Sequence, residues 1–82
     1  MSNNQDILNF CRNIRCLRKI YKLTQKKMAE ILGCSVRSVS MLEHDKMPQM
    51  LSTSVIWEAS RYFHISPAEL FIPIERWLHK IP

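Results

Sequence analysis

The sequence contains very little glycine. Gly33 is the only glycine among 82 residues, and only four prolines accompany it. A glycine-rich phosphate loop needs several glycines close together, so nucleotide-binding loops of that type are excluded. Because both helix-breaking residues are scarce and apolar residues recur at spacings of three and four, the sequence predicts an all-α chain.

The sequence also lacks the patterns of a metal site, a catalytic triad and a membrane-spanning segment. The three cysteines, Cys11, Cys16 and Cys34, lack the close Cys-x-x-Cys pairs from which structural zinc sites usually take their ligands, so we expect no metal and no cofactor. No grouping of serine, histidine and acid resembles a catalytic triad, and we expect no enzymatic activity. No apolar run approaches the roughly 20 residues that cross a bilayer, and residues 1–6 do not resemble a secretory signal. We therefore expect a cytoplasmic protein with free thiols and no membrane partner.

The sequence carries an excess of positive charge. Twelve lysines and arginines stand against seven acidic residues, which gives a net charge of +5 and an isoelectric point near 9.5. A basic chain of this length is expected to form one small domain that binds a polyanion. Charge alone does not separate nucleic acid from an anionic membrane surface.

Residues 25–44 have the spacing of a helix-turn-helix motif. Ala29 lies four residues before Gly33, and Val39 and Leu42 lie six and nine residues after it. Two helices that cross steeply over a short turn need a small residue where they approach, and the first must end in a left-handed residue, which glycine adopts at least cost. Val39 and Leu42 share one face of the second helix and can pack it onto the first. We therefore predict a single DNA-binding domain over residues 1–82.

Five helices are predicted, with a short extra C-terminal turn or helix. Thr24 and Ser35 are expected to cap the second and third helices. Ser66, Pro67 and Glu69 form the pattern of a capping box at the start of the fifth. The predicted spans are about 6–21, 25–32, 36–43 or 36–44, 53–62 or 53–63, and a short helix after Ser66, with a final turn within 74–80.

Three stretches resemble the phage lambda repressor and Cro family of helix-turn-helix proteins. They are residues 14–33 (IRCLRKIYKLTQKKMAEILG), 35–43 (SVRSVSMLE) and 63–70 (FHISPAEL). The resemblance covers roughly residues 10–72 and implies a five-helix fold that binds DNA. It also implies a structural ion pair between Arg18 and Glu43. The sequence departs from the family at Asp45, where glycine is common, and aspartate adopts a left-handed conformation less readily.

The third predicted helix is the expected recognition helix. With Val39 and Leu42 facing inward, its remaining side chains can enter the major groove, where all four base pairs are distinguishable. Arg37 is the strongest candidate because a guanidinium matches O6 and N7 of guanine; a phosphate contact and a solvated surface position are its alternatives. Val36 is suited to a thymine methyl group but equally to a plain surface position, and Met41 either reaches a base edge or covers the helix. The expected base contacts are Ser35, Val36, Arg37, Ser40 and Met41, and the expected phosphate contacts are Gln25, Lys26, Ser38 and Lys46.

The expected function is sequence-specific DNA binding that regulates transcription, as a repressor-type protein. Its partners are then double-stranded DNA and a second copy of the chain. The alternative is a protein-interaction module, or an antitoxin or controller-type protein, on the same fold, because Val36 and Met41 make the recognition face apolar. A protein partner beyond the second copy is not identified by the sequence.

Apolar residues near the C-terminus predict a dimer interface. A small domain contacts few base pairs, so selectivity normally needs two copies on a repeated site. We expect Trp77 to anchor this interface. In the alternative, Trp77 folds back onto the first helix and completes the core of the monomer. The interface residues are predicted to be Phe71, Ile74, Trp77 and Leu78.

Overall fold

The computed structural model describes residues 4–48 and 51–80. Within these residues the chain forms four α-helices and three short 3-10 turns, and none of the described helices is long and apolar enough to cross a membrane. The all-α prediction is confirmed for this part of the chain. The helices are α1 (Asn4–Ile20), α2 (Gln25–Leu32), α3 (Val36–Glu43) and α4 (Ser54–Phe63), and the 3-10 turns are Ala68–Phe71, Ile74–Arg76 and Leu78–Lys80.

Local sequence determines where α2 and α3 begin and end. The Thr24 hydroxyl accepts a hydrogen bond from the Lys27 N–H at 3.0 Å, and the Ser35 hydroxyl accepts one from the Ser38 N–H at 3.0 Å. Each cap satisfies a backbone donor that has no partner inside its helix. Gly33 ends α2 in the left-handed conformation, with φ of 73°, as the motif predicts.

Three other turns use left-handed residues that are not glycine. Lys22, Asp45 and His64 have φ values of 56°, 60° and 58°. Asp45 makes the turn after α3 without glycine, and its backbone N–H donates to the Leu42 carbonyl oxygen at 3.0 Å. Aspartate in place of the family's glycine therefore preserves the turn, although the left-handed conformation is higher in energy for aspartate than for glycine.

The core lies between α1 and the motif helices. Apolar residues of α1 recur every three or four positions and form one buried stripe. Helix α1 packs against α3 and the first two 3-10 turns, and α2 packs against α3 and α4. On α4, Phe63 is buried and Tyr62 is 47% exposed, so Phe63 faces the core. The largest fully buried apolar side chains include Phe10, Ile14, Leu17, Met28, Leu32, Leu42, Leu70 and Trp77.

The predicted fifth helix is a single 3-10 turn, so the described residues contain four α-helices rather than five. The capping box itself is present, since the Ser66 N–H donates to Glu69 Oε1 at 3.1 Å and the Glu69 N–H donates to Ser66 Oγ at 3.2 Å. The turn ends because Ile72 precedes Pro73, and a residue before proline is forced out of the helical region. Ile72 accordingly has φ of −108° and ψ of 141°.

The C-terminal segment packs back onto α1. Trp77 is only 2% exposed, Ile74 is also buried, and the Trp77 indole N–H donates to the Ile72 carbonyl oxygen at 3.0 Å. These two side chains complete the monomer core, which corrects their assignment to an exposed interface and matches the alternative prediction for Trp77. The reason is local: the extended backbone at Ile72 and Pro73 turns the chain back toward α1. Of the other two predicted interface residues, Phe71 is half-buried and stacks on Phe10, and Leu78 is exposed.

Two buried asparagines on α1 hold this segment in place. Asn13 donates to the carbonyl oxygens of Leu70 and Ile72 at 2.7 and 2.8 Å, and Asn9 donates to that of Phe71 at 3.1 Å. The two residues are four apart and so share one face of α1. They satisfy backbone carbonyls that the short 3-10 turn leaves without helical partners.

Candidate nucleic-acid interface

Helix α3 presents one face to the core and the other to solvent. Val39 and Leu42 are fully buried, as the motif predicts, and they fix the rotation of α3 about its axis. Arg37 is exposed on the opposite side, and Val36 is 44% exposed. Ser40 and Met41 are half-buried, so they lie at the edges of the exposed face. The most accessible of the predicted base contacts are therefore near the N-terminus of α3.

Ser35 and Ser38 form a small hydroxyl pair at the start of α3. Besides its capping bond, Ser35 Oγ donates to Ser38 Oγ at 3.1 Å. The Ser38 hydroxyl proton then remains available for an acceptor outside the protein. The structure therefore makes Ser35 the structural cap of α3 and leaves Ser38 with a free donor.

A hydrogen-bonded cluster at the C-terminal end of α3 joins three helices. The Arg18 guanidinium of α1 donates to both oxygens of the Glu43 carboxylate, at 3.0 Å for Oε1, and it also donates to the Leu23 carbonyl oxygen at 2.9 Å. Gln25, at the start of α2, donates to Glu43 Oε1 at 3.1 Å. Arg15 of α1 also donates to the backbone of Glu43. We call Arg15, Arg18, Gln25 and Glu43 the polar cluster.

The Glu43 carboxylate is ionised within this cluster. Burial raises the pKa of Glu43, but hydrogen bonds from Arg18 and Gln25, together with the positive charges of Arg18 and Lys19, outweigh burial and hold the pKa below its usual value. The hydrogen bond to Glu43 correspondingly raises the pKa of Arg18. The pair expected from the resemblance is thus formed, and it ties the end of α3 to α1.

Arg15 belongs to the polar cluster, although the sequence analysis assigned it no role. Its guanidinium donates to the backbone carbonyl oxygen of Glu43 at 2.6 Å and lies 4.0 Å from the Asp45 carboxylate. A cation at this end of α3 satisfies a carbonyl without a helical partner and favours the helix dipole. The available signal was its spacing, three residues before Arg18 on the same face of α1.

The predicted phosphate contacts surround α3. Lys26 and Lys46 are exposed, whereas Gln25 is half-buried because it bonds to Glu43. The Gln25 amide nitrogen carries two protons, so it retains one for a second acceptor. The Thr24 hydroxyl accepts a hydrogen bond from the Lys27 N–H. The N–H groups at the first positions of α2 have no hydrogen-bond acceptor within the helix.

Several cations near the motif have no acidic partner. Among the residues that the structure describes, ion pairs within 4.0 Å engage Arg15, Arg18, Lys27, Arg61 and Lys80. Positive charge that is not neutralised within the protein remains available to an external anion. The unpaired cations of α1, α2, α3 and the adjoining turns are Arg12, Lys19, Lys22, Lys26, Arg37 and Lys46.

Other kinds of site are not formed by the described residues. No ligand-sized pocket and no group of three histidine, cysteine or acidic side chains suited to a metal ion occurs among residues 4–48 and 51–80. Burial raises the pKa of the Cys11 and Cys34 thiols, so both are protonated at neutral pH and are weak nucleophiles.

Comparison with known proteins identifies one related family. The family model described as a helix-turn-helix domain matches residues 11–72, which is more than half of the chain. Neither a search of the curated proteins nor a search of the solved structures found a match. The matched segment begins in α1 and includes α2, α3, α4 and the first 3-10 turn.

Proposed function

The chain belongs to the helix-turn-helix domain family, and we propose that it regulates transcription by binding specific DNA sequences with α3 in the major groove. The family is one of DNA-binding regulators. The observation that best supports the use of α3 is its geometry: Val39 and Leu42 are buried while Arg37 and Val36 are exposed. An exposed helix face beside unpaired cations matches what base contacts and backbone contacts require.

In this proposal, base recognition and backbone contact are separate tasks. Arg37 donates to O6 and N7 of a guanine, and Val36 contacts a thymine methyl group. Gln25, Lys26, Ser38 and Lys46 bind phosphates on either side of the groove and so fix the position of α3. The polar cluster fixes the position of α3 relative to α1 and α2, because Glu43 at the end of α3 binds Arg18 of α1 and Gln25 of α2.

We expect Arg37→Ala to weaken binding to the preferred duplex by about 1–3 kcal/mol and to relax the preference at one base position. Arg37 is exposed and makes no ion pair among the described residues, so its loss leaves the fold intact. Fluorescence anisotropy on the preferred and on a random duplex measures both effects. Arg76→Ala is the matched control, because Arg76 is exposed but lies in the second 3-10 turn.

The two duplexes distinguish a base contact from a phosphate contact. If Arg37→Ala lowers affinity for both duplexes equally, Arg37 contacts only the backbone and its role in base recognition is wrong. If wild-type protein shows no salt-dependent affinity for any duplex, DNA binding itself is contradicted.

We further propose that the protein acts as a repressor-type dimer that occupies two half-sites. With Ile74 and Trp77 in the core, the remaining surface for a second copy comprises Leu78, which is 43% exposed, and the half-buried Phe71. We expect wild-type protein to sediment as a dimer at tens of micromolar and Leu78→Glu to sediment as a monomer. Trp57→Glu, on exposed α4 surface, is the control. A monomeric wild type contradicts the dimer in solution, and a dimeric Leu78→Glu places the interface elsewhere.

A protein-interaction module on the same fold is the second candidate. The observation that favours it is the exposure of apolar Val36 on α3, since an exposed aliphatic side chain suits a protein surface as well as a thymine methyl group. The salt series on random DNA separates the two, because an interaction module has no affinity that falls with rising salt.

A further inference from the structure

We propose that Lys19 and Lys22, at the end of α1 and in the turn that follows it, bind the DNA backbone beside α2. The inference rests on the proposed DNA binding and extends its contact surface to a third helix. Neither lysine is among the contacts that the motif predicts. We call Lys19, Lys22 and Lys26 the lysine patch.

The position of the patch follows from the hydrogen bonds of α1. Arg15 and Arg18 both reach Glu43, so the side of α1 that carries them faces the C-terminal end of α3. Lys19 is four residues after Arg15, and residues at this spacing share a helix face. Lys22 lies two residues beyond the end of α1, in the turn that leads to α2.

Backbone contacts fix the turn next to α2. The Lys22 N–H donates to the Lys19 carbonyl oxygen at 3.1 Å, and the Leu23 N–H donates to that of Arg18 at 2.9 Å. Arg18 also binds the Leu23 carbonyl oxygen, which holds the turn against the polar cluster. Lys22 therefore lies three residues before Gln25 and four before Lys26, in a turn held beside the start of α2.

Within the described part of the chain, the lysines of the patch are not paired with a carboxylate, whereas Arg18 is. Arg18 is neutralised by Glu43, whereas Lys19, Lys22 and Lys26 have no carboxylate within 4.0 Å among the described residues. All three are exposed.

Lys22 occupies a left-handed backbone position, which glycine adopts at least cost. Its φ of 56° is left-handed, and a side chain there costs more than glycine does. Among the described residues, the Lys22 side chain forms no ion pair within 4.0 Å. Its ammonium group is therefore available to bind a phosphate.

Lys22→Gly tests the proposal without damage to the fold, since glycine adopts this conformation freely. We expect an unchanged or higher thermal midpoint. We also expect affinity for a random duplex at 0.1 M salt to fall about fivefold to tenfold, and the slope of log K against log salt to become shallower by about 0.9. Lys19→Gln should have the same two effects on binding, and Lys22→Arg should retain wild-type binding.

Arg61→Gln is the control of equal charge change. Arg61 lies on α4, outside the three helices that form the proposed contact, and its partner is Glu58 at 3.5 Å. If Lys22→Gly and Lys19→Gln bind like Arg61→Gln while wild type binds DNA, the lysine patch is wrong and the proposed function stands. If wild type shows no salt-dependent binding, both proposals fail together.

Discussion

Trp77→Ala should lower the free energy of unfolding by about 3–5 kcal/mol. Trp77 is 2% exposed and packs the C-terminal segment onto the core, so truncation leaves a large cavity. It also removes the indole N–H that donates to Ile72. Urea unfolding followed by circular dichroism at several protein concentrations measures this loss apart from any association.

The chain contains its own control for this experiment. Trp57 is 59% exposed on α4, so Trp57→Ala should change stability by no more than about 0.5 kcal/mol. Trp77→Phe keeps an aromatic ring and should lose less than Trp77→Ala, which remains measurable if the alanine variant does not fold. Equal stabilities of Trp77→Ala and Trp57→Ala would contradict the burial of Trp77 in the monomer.

Glu43→Ala should cost about 3–5 kcal/mol, because it leaves Arg18 partly buried without its carboxylate. The side chains of Glu43 and Arg18 are 6% and 19% exposed, so water replaces the lost partner poorly. Arg18→Ala should be similarly destabilising, and the double variant should lose clearly less than the sum. The exposed pair Lys27 and Glu30 is the control cycle, for which we expect a coupling below about 0.5 kcal/mol.

The pH dependence of stability gives a second measure of this pair. The pKa of Glu43 is lowered in the folded protein from a reference value of 4.5, so its stabilising effect is fully present above that pH. It is lost as the pH falls through the lower pKa of the folded state. Wild-type protein should therefore lose more stability than Glu43→Gln between pH 5 and the acid limit of folding. Parallel pH curves and additive losses in the cycle would show that the two side chains do not interact.

Features set by neighbouring residues were predicted well from the sequence. The caps at Thr24 and Ser35 and the left-handed Gly33 depend on bonds across three or four residues, so their sequence pattern is sufficient. Burial of Val39 and Leu42 follows from helical spacing. The Arg18–Glu43 pair crosses 25 positions, and it was expected only through the resemblance to a family.

Features that depend on tertiary packing were not predicted. Arg15 and Asn13 bind backbone carbonyls of distant segments. Because every residue has a backbone carbonyl, the sequence does not indicate which one a side chain will bind. Apolar spacing near Trp77 fits a dimer interface and a monomer core equally well, because both bury the same surface. The fifth helix was shortened by the effect of Pro73 on Ile72, which outweighs a correct capping box.

Selection of bound duplexes from a randomised pool tests most directly whether this protein reads DNA with α3. The account predicts an enriched sequence with two related half-sites whose centres are about one helical turn apart, and a guanine whose enrichment disappears with Arg37→Ala. A pool that stays random, or an enriched sequence that Arg37→Ala and Val36→Ala leave unchanged at every position, would contradict recognition by α3.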